Sequence, residues 1–119
     1  MKRVLVVEDN EKNMYLVNRI LEDAVYEVIP ATTGKEGIEL AIKEKPDMIL
    51  MDIKLPDING LEAAKKIRES KSCEKIPIIA ITSFAMTGDK EESLAAGCTS
   101  YIEKPINPRT FIAEIEKYL

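Results

Sequence analysis

The stretch MILMDIKLPDINGLE, residues 48–62, decides the fold. Met48, Ile49, Leu50 and Met51 are apolar with no polar alternate, so a strand built from them is covered on both faces, the condition of a parallel sheet between helix layers. Asp52 follows directly. A carboxylate at the end of a buried strand is costly unless a partner or a cation compensates it. Beyond it, Asp57 and Asn59 read as turn and cap residues before Gly60, and Leu61, Ala64 and Ile67 recur at helical spacing.

The same alternation extends in both directions. Apolar, β-branched runs begin near Val4 (VLVV), Val28 (VI), Ile76 (IPIIAI) and Thr99 (TSYI), and each is followed by a helical period. Met14, Val17, Leu21 and Ala24 mark the first helix, Ile38, Ala41 and Ile42 the second, Leu94 a short fourth, and Phe111, Ile112, Ile115 and Leu119 the fifth. Strand and helix alternate five times at about 24 residues per unit, the sum of a mean strand, a mean helix and two short connections. Thr33-Gly-Lys-Glu36 reads as a capping box, Asn107-Pro108 as the start of the fifth helix, and Gly97 as the left-handed end of the fourth. The expected architecture is one three-layer α/β domain spanning residues 1–119.

Composition narrows the chemistry. With 21 acids, 17 bases and a net charge of −4, and without a block of Lys or Arg, neither nucleic acid nor an anionic membrane is the expected partner. No apolar run approaches the length of a membrane span, and there is no secretory signal, so the expected location is the cytoplasm. The chain has no histidine, and Cys73 and Cys98 form no metal-type cluster, which excludes histidine catalysis and soft-metal sites and makes both cysteines structural.

Doubly wound sheets place ligands at the carboxyl ends of their strands. Those ends carry Glu8 and Asp9 after the first strand, Asp52 after the third, Thr82 and Ser83 after the fourth, and Lys104-Pro105 after the fifth; only the second strand contributes nothing chemical. Glu8 and Asp9 also suit the N-terminus of the first helix. Three carboxylates brought together repel one another, and a hard divalent ion, Mg²⁺ or Mn²⁺, relieves them. A metal, a lysine and a threonine hydroxyl around a carboxylate make a site for a tetrahedral dianion, with the carboxylate as phosphoryl acceptor.

The motifs VLVVEDN (residues 4–10), LMDIKLPDINGLE (50–62), IIAITSFAM (78–86) and YIEKPI (101–106) together resemble the receiver domain of two-component response regulators. The resemblance implies a five-stranded, doubly wound parallel sheet of order 2-1-3-4-5, the flavodoxin-like receiver fold. It implies Asp52 as phosphoacceptor, Asp9 and Asp52 as direct Mg²⁺ ligands, Glu8 as a ligand through water, and the backbone carbonyl of Lys54 as a further ligand. Thr82 and Lys104 would bind phosphoryl oxygens, Thr82 and Tyr101 would form the switch, and Pro105 would follow a cis bond. The implied partners are a sensor histidine kinase or a histidine phosphotransfer protein, and a downstream protein read by the surface of the fourth helix, fifth strand and fifth helix.

The resemblance also implies a monomer or weak dimer that catalyses only its own phosphotransfer and dephosphorylation. The chain reads as a stand-alone regulator, closer to the relay and cell-division type than to the chemotaxis type. Lys54 and Phe84 are expected to shield the phosphoryl group and slow its hydrolysis. Three other functions fit the sequence less well. An aspartyl-phosphate phosphatase needs an acid two residues after the nucleophile, where this chain has Lys54. A nucleotide or flavin binder needs a glycine-rich first turn, where it has Val7-Glu8-Asp9-Asn10. A docking module without phosphorylation would not need the full set of site residues.

Overall fold

The computed structural model describes residues 1–83 and 89–119; Phe84, expected to shield the site, lies outside the described residues. The chain runs β1 (Arg3–Val7), α1 (Glu11–Asp23), β2 (Glu27–Ala31), α2 (Gly34–Glu44), β3 (Met48–Asp52), α3 (Gly60–Glu69), a 3₁₀ turn (Lys71–Cys73), β4 (Ile78–Thr82), α4 (Asp89–Ala95), β5 (Ser100–Glu103) and α5 (Phe111–Glu116). All strand pairs are parallel and the sheet order is β2-β1-β3-β4-β5, as expected for the doubly wound receiver fold.

Side-chain alternation explains why the central runs lack polar positions. Leu5, Val7, Ile49, Met51 and Ala80 enter one core with Ala63, Ala64 and Ile67 of α3. Val4, Val6, Met48, Leu50, Ile79 and Ile81 enter the other with Val17 and Leu21 of α1 and Phe111 and Ile115 of α5. Each strand therefore serves both layers, and polar residues are confined to strand ends. Burying a side chain such as Leu50 or Ile79 completely stabilises the fold by roughly 1.5–3 kcal/mol. Cys73 and Cys98 are free and buried, and burial pushes the Cys98 thiol up to about 11.

Several boundaries differ from the sequence reading. β4 starts at Ile78 because Pro77 has no N–H to give the ladder, although its carbonyl accepts from Ile49. The fifth helix starts at Phe111. Asn107 does cap, accepting from the Arg109 N–H at 2.9 Å, and its carbonyl takes the N–H groups of Thr110 at 3.1 Å and Phe111 at 2.9 Å, so it opens a turn that leads into the regular helix. Ile42 falls on the flank of α2 and is exposed. The capping box is offset: Thr33 Oγ accepts from the Glu36 N–H at 3.1 Å, while Glu36 reaches back to the Thr32 N–H at 2.8 Å. Gly97 ends the segment after α4 with φ +98°, as its type demands.

Candidate functional site

The cap of α1 is Asn10, whose side chain accepts from the Asn13 N–H at 3.0 Å. Glu8 and Asp9 are thereby left at the mouth of the crevice. The register places Val7 of β1 beside Met51 of β3, so the residues that follow, Glu8 and Asp52, emerge side by side. Carboxylate oxygens of Glu8, Asp9 and Asp52 lie within 4.8 Å of one another, with Glu8 and Asp52 buried and Asp9 exposed. Asp52 in turn pairs with Ile81, one residue before Thr82, and Thr82 pairs with Glu103, one residue before Lys104. Lys104 N–H donates to the Thr82 carbonyl at 2.7 Å, which fixes the stem from which its ammonium returns to the acids. The Lys104–Pro105 peptide bond is cis.

The ammonium of Lys104 sits 2.8 Å from Glu8 Oε1 and 3.4 Å from Asp52 Oδ2. The other Asp52 oxygen accepts from the Lys54 N–H at 3.3 Å, and Glu8 Oε2 accepts from the Asn10 N–H at 3.4 Å. Among the described residues Lys104 is the cation in contact with this three-acid cluster, touching Glu8 and Asp52, and the two buried carboxyls respond differently. Asp52 is pushed up to about 7, first by burial and then by its hydrogen bond to Glu8 and the Glu8 charge, against the opposing pull of Lys104 and the Lys54 N–H. Burial also acts to raise Glu8, but its hydrogen bonds with Asp52 and Lys104 prevail and hold it below the usual carboxylate range. Lys104 is held above its ordinary value, because its contacts with Glu8 and Asp52 outweigh its own desolvation. Among the described residues the cluster carries more negative charge than Lys104 offsets, which favours the protonated form of Asp52.

The sequence-derived residues therefore divide into groups. Glu8, Asp9, Asp52 and Lys104 share one cluster, and Thr82 is buried at its edge at the end of β4. Lys54 approaches through its backbone. Tyr101 is elsewhere: half-buried on β5 beside Ala80, it packs on the core under α3 and lines a groove with Ser100, Ile102, Glu114, Lys117 and Tyr118. Two features escaped sequence reasoning. The Glu8–Lys104 ion pair joins residues 96 apart. Asp57 accepts from the N–H groups of Gly34 and Lys35 in the first turn of α2, and Asn59 alone caps α3, accepting from the Leu61 N–H at 2.7 Å.

Residues 4–116 match the response regulator receiver domain family. The polar-differentiation response regulator DivK of Brucella ovis is 46% identical over 118 residues, covering 99% of this chain and 96% of that protein. Among solved structures, chemotaxis protein CheY4 of Vibrio cholerae superposes with a TM-score of 0.95 at 33% identity, covering 100% of this chain and 99% of that one. The receiver domain of sensor histidine kinase PA1611 from Pseudomonas aeruginosa PAO1, whose active-site cleft coordinates a magnesium ion, gives a TM-score of 0.92 at 32% identity, covering 98% and 96%. The chain belongs to the response regulator receiver domain family, whose members are regulatory phosphoacceptors of two-component signalling rather than classical enzymes.

Proposed function

We propose that residues 1–119 form a single receiver domain in which Asp52 takes a phosphoryl group from phosphohistidine on a sensor histidine kinase or a histidine phosphotransfer protein. The observation that carries this reading is the buried Asp52 carboxylate, flanked by Glu8, Asp9 and Lys104 at the carboxyl ends of the strands. An Asp52 oxygen attacks phosphorus in line, the P–N bond breaks, and the imidazole leaves with the electron pair. Lys104 is already close enough to both Glu8 and Asp52 for a small movement to put its ammonium on a phosphoryl oxygen, and Thr82 donates to another.

The donor set fits a hard divalent cation, being all oxygen and overcharged with respect to its lysine. Asp9, Asp52 and the Lys54 carbonyl would hold Mg²⁺, or Mn²⁺, with Glu8 acting through a water. Bound there, the ion supplies charge neutralisation between the acids and the incoming phosphoryl group. The likeness to a receiver domain that coordinates magnesium in its cleft supports this choice.

The phosphoryl group adds about −1.5 to −2 charge. Thr82 moves toward it, and Tyr101 turns into the space released, shifting the surface of α4, β5 and α5 that a downstream protein reads. The protein acts in the cytoplasm as a monomer or weak dimer, and its catalysis is limited to its own phosphotransfer and dephosphorylation. Among the described residues no helix is long and apolar enough to cross a membrane.

The test is intact mass after incubation with acetyl phosphate or phosphoramidate, with Mg²⁺ or with chelator, on the wild type and Asp52→Asn. One added phosphoryl group that requires both Mg²⁺ and Asp52 is expected. A folded, metal-binding wild type that takes no phosphoryl group from either donor or from a histidine kinase would instead make the chain a docking module. The switch is tested separately: Tyr101→Ala should remove phosphorylation-dependent partner binding, and unchanged binding would contradict the role of Tyr101.

A further inference from the structure

We infer that Asp57 is a positioning residue for the phosphoacceptor site, tethering the β3–α3 loop to α2 so that Lys54 is held against Asp52; this rests on the metal-ligand reading above. The loop is closed at its neck. Gly60 N–H donates to the Ile53 carbonyl at 2.7 Å, and Lys54 bridges Asn59 in antiparallel fashion. A Cβ on Gly60 would lie 2.1 Å from the Asp52 carbonyl oxygen, so the chain returns directly over the backbone of the acceptor and only glycine fits.

The tip of the same loop is fixed to a different element. Asp57 Oδ1 accepts from the Gly34 N–H at 2.8 Å and Oδ2 from the Lys35 N–H at 2.9 Å, so both oxygens engage the first two residues of α2. These two donors, Lys35 first, hold the Asp57 carboxyl below its ordinary range. Ile58 closes the contact, since a Cβ on Gly34 would lie 2.5 Å from its Cγ1. Besides the local backbone N–H groups of Asp57 and Ile58 that a turn aspartate ordinarily engages, this carboxylate reaches across 23 residues.

The contact caps α2 in part, since Thr33 takes only the Glu36 N–H and Asp57 takes those of Gly34 and Lys35. What Asp57 adds is a link between two elements. With the neck fixed to β3 and the tip fixed to α2, the intervening backbone has little freedom. Lys54 stands at the neck end of that segment, where it bridges Asn59 and donates its N–H to Asp52 at 3.3 Å. Groups that orient a metal ligand typically change metal affinity by ~10–100-fold when removed.

The experiment compares the wild type with Asp57→Ala, Asp57→Asn and Thr33→Ala. The Mg²⁺ dissociation constant is measured by calorimetry, and amide exchange over residues 53–60 is measured without metal. Thr33→Ala removes a hydrogen bond from the same end of α2 without touching the loop, so it reports helix capping alone. Expected are about tenfold weaker Mg²⁺ binding and faster loop exchange in Asp57→Ala. Thr33→Ala should match the wild type in both, and Asp57→Asn, which keeps one acceptor, should recover part of the loss. Wild-type affinity in a folded Asp57→Ala, or an equal loss in Thr33→Ala, overturns the positioning role. A wild type that binds no Mg²⁺ overturns the metal reading and the role that rests on it, and is distinguished because the wild type itself then fails.

Discussion

Among the described residues, a cluster of three acids and one base lies at each end of the sheet, yet only one end has the makings of chemistry. At the amino end, Arg3 pairs with Glu27 at 2.9 Å and with Glu44, while its N–H donates to Asp47. At the carboxyl end, Lys104 contacts Glu8 and Asp52, which cluster with Asp9. The charges are the same and the burial is not: Arg3 and Glu27 side chains are 33% and 56% exposed, whereas Lys104, Glu8 and Asp52 are 13%, 5% and 8% exposed. Water screens the first group, and such surface pairs contribute little. In the second group each charge feels its neighbours strongly, so a carboxyl is displaced far from its ordinary ionisation and a cation or phosphoryl group has large leverage.

Breaking the buried end should have the largest effect. Lys104→Met removes the partner of two buried carboxylates and should cost about 3 kcal/mol in urea unfolding with chelator present, the lower part of the range for a broken buried pair because Asp52 can escape by protonation. Mg²⁺ at a hundred times its dissociation constant should stabilise the wild type by about 2.7 kcal/mol, and Asp52→Asn should lose most of that gain.

The pH response sharpens the comparison further. In metal-free protein the folded state holds the Asp52 proton up to about 7, while the unfolded chain releases it at 3.8. The stability Asp52 contributes is therefore fully present below the unfolded value and is lost as pH rises through about 7. Glu8 has the opposite sign, because its lowered pKa gives stability above its ordinary value of 4.5 that is lost only on acidification. Between pH 5 and 7, unfolding free energies should thus fall in the wild type with chelator, and stay flatter in Asp52→Asn. The smallest effect belongs to the amino end. Arg3→Met should change unfolding free energy by no more than about 1 kcal/mol and leave Mg²⁺ affinity unchanged, as urea titration and calorimetry would record.

What the sequence could reveal follows from what each feature depends on. MILM and VLVV were legible because burial on both faces is written into one short segment, and the strand ends followed from them. Lys104 and Glu8 could be placed at the same edge of the sheet, but their ion pair depends on the return of the chain after β5, which no local pattern encodes. Asp57 has the composition of a turn residue, and only the packing of α2 against the β3–α3 loop gives it a partner. The pattern from Asn107 onward reads as helical, and the regular helix starts only at Phe111, after a turn on the Asn107 carbonyl that no local pattern distinguishes from helix.

The central claim is that the buried acid at the carboxyl end of β3 is the one that accepts phosphate. The most direct measurement is to phosphorylate the protein with acetyl phosphate and Mg²⁺, reduce the acyl phosphate with borohydride, and locate the resulting homoserine by peptide sequencing in a mass spectrometer. The account predicts conversion at Asp52, with Asp9 and Asp47 unmodified. Conversion at Asp9, or an adduct at the amino-end acids with Asp52 intact, would contradict it.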